Sequence, residues 1–208
     1  MATDLPSPHL YVISAPSGAG KTSLVRALLE TRPRLVVSVS HTTRARRPGE
    51  VEGESYFFVT VERFEQLIRE GAFLEYARVF DNYYGTGRAQ VDQRLHHGRD
   101  VVLEIDWQGA QQVRRALPAC ISIFVLPPSR QALEQRLRGR GTDSEAVIQR
   151  RLADAATDMS HCREFEYAVV NDTFDQALSE LGSILDGRGE RLRSDRAALQ
   201  PFLAALVA

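Results

Sequence analysis

The sequence predicts an α/β fold: a parallel β-sheet flanked by helices, with a small inserted subdomain and a lid. Three observations predict it. Short apolar runs alternate with stretches of helical spacing, a glycine-rich loop joins the first run to the first helical stretch, and residues 41–87 interrupt the alternation with short aromatic segments. Strands that alternate with helices are joined by crossovers, which cover both faces of a parallel sheet.

Leu10–Ser14 is an apolar run that ends at a Gly/Pro/Ser cluster, the mark of a buried strand. Thr22–Thr31 carries Leu24, Ala27 and Leu28 at helical spacing, and Leu35–Ser40 is a second strand. From His41 to Gly87 the alternating stretches Ser55–Thr60 and Phe73–Phe80 flank a helical Val61–Glu70, as in a small subdomain with antiparallel pairing. Then follow a helix over Arg88–His97, a strand Asp100–Asp106, a helix Gln108–Ala116, a strand Cys120–Leu126 and a helix from Ser129. Arg136–Arg140 leads into a long helical pattern ending near Met159, before a strand Tyr167–Val170 and a helix Thr173–Leu185. After Gly187–Gly189, Ala197–Val207 is apolar enough for a helix that packs on the body or on a second copy of the chain, so a homo-oligomer is one expectation. No internal repeat or low-complexity segment is present.

The 208 residues are 43% hydrophobic and 25% charged, enough for one sizeable core and one domain with an insertion. A formal net charge of −1 supplies no broad basic field for nucleic acid or an anionic membrane. No apolar run approaches a membrane span, and the N-terminus lacks a signal-peptide core. Cys120 and Cys162 form no C-x-x-C or Cys/His cluster and read as free thiols of a reducing compartment, the cytoplasm. His41, His96, His97 and His161 share no metal-ligand spacing, and no serine–histidine–acid order is evident. Of 26 basic residues one is a lysine, Lys21. Drift toward arginine or chance accounts for that composition; a site that admits only a compact ammonium accounts for the position as well.

Lys21 falls in Ser14-Ala15-Pro16-Ser17-Gly18-Ala19-Gly20-Lys21-Thr22, between the first strand and the first helix. This is the G-x-x-x-x-G-K-[ST] phosphate loop except at its first position, where Ala15 replaces glycine. Glycine is needed where the backbone bends around an anion, and Gly18 and Gly20 supply that freedom. Successive N–H groups then face the β-phosphate of ATP with the helix N-terminus behind them, Lys21 reaches the β- and γ-phosphates, and the Thr22 hydroxyl ligates Mg²⁺. The competing reading is a glycine-rich turn; the strand–loop–helix context and the placement of the one lysine favour the phosphate loop.

What accepts the phosphate must be read elsewhere. Ser40-His41-Thr42-Thr43-Arg44-Ala45-Arg46-Arg47-Pro48-Gly49-Glu50 gathers three arginines within four residues and ends in a turn signal. Guanidinium groups bind a doubly charged phosphate bidentately, and Tyr56, Tyr83 and Tyr84 can add hydroxyl donors. From these residues alone a solvated basic loop is an equal alternative.

S-x-x-T-R-x-x-R-x-G-E, a following glutamate, N-Y-Y-G-[ST] and a D-x-Q-G segment, in this order after the phosphate loop, resemble guanylate kinase, most closely the bacterial type. The resemblance runs from about Leu10 to Leu185. It implies a P-loop NTPase sheet, with a guanylate-kinase-like domain over 8–187: a core of 8–40 and 88–187, a GMP-binding subdomain over 41–87 and a lid at about 137–152. Residues 188–208 form a C-terminal tail. It implies that Arg44, Arg47, Tyr56 and Tyr84 hold the acceptor phosphate and that Ser40, Glu75 and Thr86 read guanine. Chemistry agrees: one carboxylate accepts guanine's N1–H and 2-amino protons together, a hydroxyl satisfies O6, and adenine lacks that donor pair. Without the family pattern Glu75 is an ordinary charge in Phe73-Leu74-Glu75-Tyr76.

Glu104 and Asp106 end a buried strand two residues apart, hence on one face. The resemblance assigns Asp106 to the guanosine side and the outer environment of the metal; Glu104 stands where the family commonly has aspartate. A solvated strand end is the alternative. The lid arginines of the family match Arg140 and Arg151, with Arg136 a weaker match, and arginine there stabilises charge on a phosphoryl group in transfer. Arg138 and Arg150 read as a solvated helix face, and Trp107 as packing. Asn171 matches a position near the adenine of ATP, although the start of the following helix is a second reading for it.

The expected activity is guanylate kinase: transfer of the γ-phosphate of ATP to GMP, with Lys21, Arg44, Arg140 and Arg151 as the catalytic charges and Mg²⁺ entering with ATP. Two alternatives are a P-loop kinase for another small phosphorylated acceptor and a non-catalytic guanylate-kinase-like module that binds proteins.

Overall fold

Every residue of the first strand, β1 (Leu10–Ser14), is buried, as a strand covered on both faces requires. The computed structural model describes residues 7–79, 81–139 and 144–207. After β1 come α1 (Lys21–Thr31), β2 (Leu35–Val37), β3 (His41–Thr42), β4 (Phe57–Phe58), α2 (Val61–Arg69), β5 (Phe73–Val79) and β6 (Asn82–Gly87). Then follow α3 (Arg88–His96), β7 (Asp100–Glu104), α4 (Trp107–Ala116), β8 (Ile121–Leu126), α5 (Arg130–Arg138), α6 (Glu145–Ser160), β9 (Tyr167–Val170), α7 (Phe174–Leu185) and α8 (Leu199–Val207).

Five strands form a sheet in the order β2-β7-β1-β8-β9, and four form a second in the order β4-β3-β6-β5. β2 runs parallel to β7, from Leu35↔Asp100 to Val37↔Val102, and β8 parallel to β9, from Ile123↔Tyr167 to Leu126↔Val170. This is the parallel sheet the alternation predicts. Two strands are shorter than their apolar runs. β2 stops at Val37 because Gln90 captures the next residues: its Oε1 accepts from Ser38 Oγ at 2.8 Å and from the Val39 N–H at 2.9 Å. β7 stops at Glu104 because Asp106 turns to cap α4, accepting from the Gly109 N–H at 2.8 Å.

The chain divides into two compact units, Met1–Val12 with Pro33–Ile121, and Ile13–Arg32 with Ser122–Ala208. The first unit contains the four-stranded sheet. Here β5 and β6 pair antiparallel, as do β3 and β6, but β3 and β4 are parallel, contrary to the antiparallel expectation. Segment 43–56 between them is long enough to return the chain in the same direction, whereas a hairpin would reverse it. Phe64 of α2 is fully buried and stacks on Phe73 at 4.5 Å and Tyr83 at 5.2 Å. A Cβ at Gly85 would lie 2.9 Å from the Phe64 ring, so the glycine in the Tyr84-Gly85-Thr86 motif is the floor on which that ring rests.

In the second unit the tail packs on its own chain. Ser194 N–H donates to Glu166 O at 3.0 Å, and Leu199, Leu203 and Leu206 of α8 are buried, with α8 against α6. Among the described residues no helix is long and apolar enough to cross a membrane.

Candidate active site

The second unit carries the phosphate loop. Gly18 and Gly20 adopt φ of 93° and 95°, the left-handed region expected of them. Gly20 occupies the position before α1, and no side-chain hydrogen bond caps the helix there, the arrangement that suits an anion site at a helix N-terminus. The loop is braced from beneath. A Cβ at Gly18 would lie 3.0 Å from Leu133 Cδ1 of α5, and one at Gly20 would lie 2.4 Å from Asn171 Nδ2. Asn171 Nδ2 donates to Ala19 O at 2.7 Å, while Arg136 donates to Asn171 O at 2.8 Å and to Ala19 O at 3.5 Å. Asn171 and Arg136 thus support the loop backbone. That role was not legible in the chain order.

Lys21 and Thr22 open α1, Lys21 half-buried and Thr22 exposed, while Ser14 is buried at the end of β1 and Ala15 and Pro16 lead into the loop. From α6, Arg151 Nη1 reaches Ser17 Oγ at 3.5 Å, which brings one predicted lid arginine to the loop. Arg140 lies outside the described residues. Arg138, read as a solvated face, bridges α5 and α6: it binds Glu134 and donates to both Glu145 oxygens. Those bonds, with one from Gln149, pull the Glu145 carboxyl down to about 2.

The first unit carries the predicted acceptor residues. Arg44 lies with its guanidinium 5.3 Å from the Tyr56 ring centroid, and the Tyr56 and Tyr84 rings are 6.0 Å apart. Burial, then the neighbouring Tyr84, pushes the Tyr56 phenol above its ordinary value, so it is a neutral donor. Arg44 is positioned by Glu50: Nη2 donates to Oε1 at 2.6 Å and Nη1 to Oε2 at 3.1 Å, and Oε2 also accepts the Arg47 N–H at 2.7 Å. The hydrogen bonds from Arg44 hold the Glu50 carboxyl below its usual range, and in return raise Arg44. Glu50 was missed as a site residue although it closes the Arg47–Glu50 turn, in which Gly49 has φ of 84°. The Arg47 side chain is exposed.

Glu75 and Thr86 are 3% and 0% exposed and face each other across the β5–β6 ladder. Thr86 Oγ1 donates to Glu75 Oε1 at 2.5 Å. That bond uses the one hydroxyl proton of Thr86, so in this arrangement Thr86 orients the carboxylate; Ser40 is half-buried beyond β2. For Asp106 the strand-face reading is corrected. It is not on a strand face with Glu104 but is the N-cap of α4, with Oδ1 on the Gly109 N–H and Oδ2 accepting from Gln108 at 3.3 Å. Glu104 is half-buried near enough to Tyr56 to raise its phenol further.

A family model described as guanylate kinase matches residues 7–188. The guanylate kinase of Methylococcus capsulatus is 61% identical over 199 residues, 96% of this chain and 96% of that protein. That of Chromohalobacter salexigens is 59% identical, over 95% of this chain and 92% of that one. The crystal structure of guanylate kinase from Anaplasma phagocytophilum superposes with a TM-score of 0.73 at 32% identity, covering 96% and 95% of the two chains. The chain belongs to the guanylate kinase family.

Proposed function

We propose that the protein transfers the γ-phosphate of ATP to GMP, giving ADP and GDP, in guanine nucleotide supply and GMP recycling. The carrying observation is Glu75: a carboxylate 3% exposed is expensive to bury unless donors meet it, and guanine's N1–H and 2-amino group are a donor pair that one carboxylate accepts together. Residues 41–87 are assigned as the GMP-binding subdomain, with Arg44, Arg47, Tyr56 and Tyr84 on the acceptor phosphate, and 137–152 as the lid. The loop Ser14–Thr22 holds the β-phosphate by its N–H groups, and Lys21 neutralises charge across the β- and γ-phosphates. Thr22, exposed at the start of α1, offers an oxygen donor that fits Mg²⁺ carried in with ATP. The metal would supply charge neutralisation on the phosphates.

The reaction is an in-line displacement. An oxygen of the GMP phosphate bonds to the γ-phosphorus as the bond from that phosphorus to the β,γ-bridging oxygen breaks, and ADP leaves with the electron pair. The acceptor oxygen is already an anion, so no general base is required. Arg151 and Arg44 stabilise the spreading charge. Cys120 and Cys162 are free and buried, and burial pushes the Cys162 thiol up to about 12, an unreactive thiol compatible with a reducing cytoplasm.

An ADP-release assay with GMP, AMP, UMP and dTMP tests the reading. GMP is expected to be the best acceptor, and Lys21→Ala to abolish most turnover, by roughly 10²–10³-fold for one lost electrostatic donor. A better acceptor than GMP, or full turnover in Lys21→Ala, overturns it.

A further inference from the structure

Gly109 lies in the first turn of α4, where alanine is the better helix former. What a side chain there would meet accounts for the glycine. A Cβ at position 109 falls 2.4 Å from Glu75 Oε2, 3.1 Å from the Glu75 carboxyl carbon and 3.3 Å from Asp106 Oδ1. The first distance lies far inside van der Waals contact, so something must move.

The helix backbone is held, because the Gly109 N–H is bonded to Asp106 at 2.8 Å. β5 is held on both edges. On one it pairs with β6, with Glu75 opposite Thr86. On the other, Gln112 of α4 accepts the Tyr76 N–H at 3.1 Å and donates to Tyr76 O at 2.7 Å, replacing a strand partner. The group that meets the added carbon is the Glu75 carboxylate, which Thr86 anchors through Oε1 while Oε2 fills the gap at Gly109. That gap lies at a helix N-terminus, where the backbone favours a negative charge.

We propose that Gly109 is a positioning residue for acceptor recognition: its missing side chain is the space that seats the Glu75 carboxylate against α4, and Gln112 holds β5 at the height that seat requires. The proposal rests on Glu75 taking guanine's N1–H and amino protons.

Wild type, Gly109→Ala, Glu75→Ala and the double variant test it together, with steady-state kinetics in GMP and in ATP. Gly109→Ala is expected to raise the KM for GMP by roughly tenfold to a hundredfold, the scale of one misplaced charge-assisted hydrogen bond, with kcat and the KM for ATP held within about threefold. Base recognition is remote from the transferred phosphoryl group, so its loss appears in KM. Adding Gly109→Ala to Glu75→Ala is expected to change kcat/KM for GMP by less than about twofold, because the partner of the clash is gone. If Gly109→Ala fails to fold and the double variant folds, the clash is the cause and the proposal stands. An unchanged KM for GMP in Gly109→Ala overturns it, as does an equal effect in both backgrounds, or failure of both to fold. Wild type that turns over GMP, with Glu75→Ala impaired, leaves the acceptor reading in place whatever Gly109→Ala does. Wild type that does not use GMP overturns both.

Discussion

Replacing Glu75 by glutamine removes the charge with little change of shape, and so isolates recognition of the base. The carboxylate is 3% exposed and its Oε1 already accepts the Thr86 hydroxyl at 2.5 Å. A carboxylate offers about four lone-pair sites; Thr86 takes one, and a guanine takes two more. Glutamine keeps one oxygen and turns the other into a donor. In its better orientation the amide oxygen faces guanine, one charge-assisted bond becomes neutral and a second is lost. At about 1.5–3 kcal/mol for a hydrogen bond to a charged group, the combined loss is about 3–4 kcal/mol. That corresponds to a fall of roughly 10²–10³ in kcat/KM for GMP. The measurement is ADP release with GMP varied at saturating ATP, beside thermal melting. The KM for ATP is expected to stay within about twofold, since an interaction this local adds independently of the loop. The melting temperature is expected to hold or rise, because a buried charge has been removed. A fall of less than about threefold in a variant that melts like wild type would mean that Glu75 does not read the base.

Gly20→Ala places a Cβ 2.4 Å from Asn171 Nδ2 at φ of 95°. Strain of about 1–3 kcal/mol should lower the melting temperature by roughly 3–10 °C and raise the KM for ATP; unchanged values of both would count against the brace beneath the loop. Leu203→Ala empties a site 3% exposed on α8, and about 2–3 kcal/mol of lost packing should lower the melting temperature by roughly 5–10 °C. A shift below about 1 °C would show that α8 contributes no packing. His41 lies 4.8 Å from Phe57 and 5.4 Å from Phe73, ring to ring; burial first, and then the Arg63 charge, lower its pKa from 6.5, with opposing help from Glu52 and Gly85 O. Between that lowered value and 6.5 the unfolded chain binds more protons, so stability falls as pH drops through this window. Urea unfolding at about pH 7.5 and about pH 5.5 should show a larger loss for wild type than for His41→Gln. Equal losses would remove His41 from the pH response.

Much of this fold is legible in the sequence. β1 and β9 match their apolar runs, and α1, α2, α4 and α7 begin or end within a residue or two of the periodic segments. The positive φ of Gly18 and Gly20 follows from a loop that must wrap an anion. These features are local: side-chain period, turn residues and a missing Cβ act within a few positions of the chain. Glu75 and Thr86 were legible as a pair by family resemblance, and the β5–β6 register explains how residues eleven apart meet.

The allocation of polar contacts was settled by partners distant in sequence. Thr86 and Ser40 are interchangeable hydroxyls on paper, yet the Thr86 proton goes to Glu75. Asp106 looked like a strand-end acid until α4 presented the Gly109 N–H to it, and Asn171 became a brace once β9 passed beneath Ala19. Glu50 ended the arginine motif with no role of its own until it met both arms of Arg44. Gly109 is the glycine of the D-x-Q-G segment, but its reason lies 34 residues upstream in the carboxylate that fills its place. Local propensity acts over a few residues, whereas the lone pairs and protons of a buried polar group go to whichever neighbour the packed fold delivers, and an unpaired one is too expensive to leave.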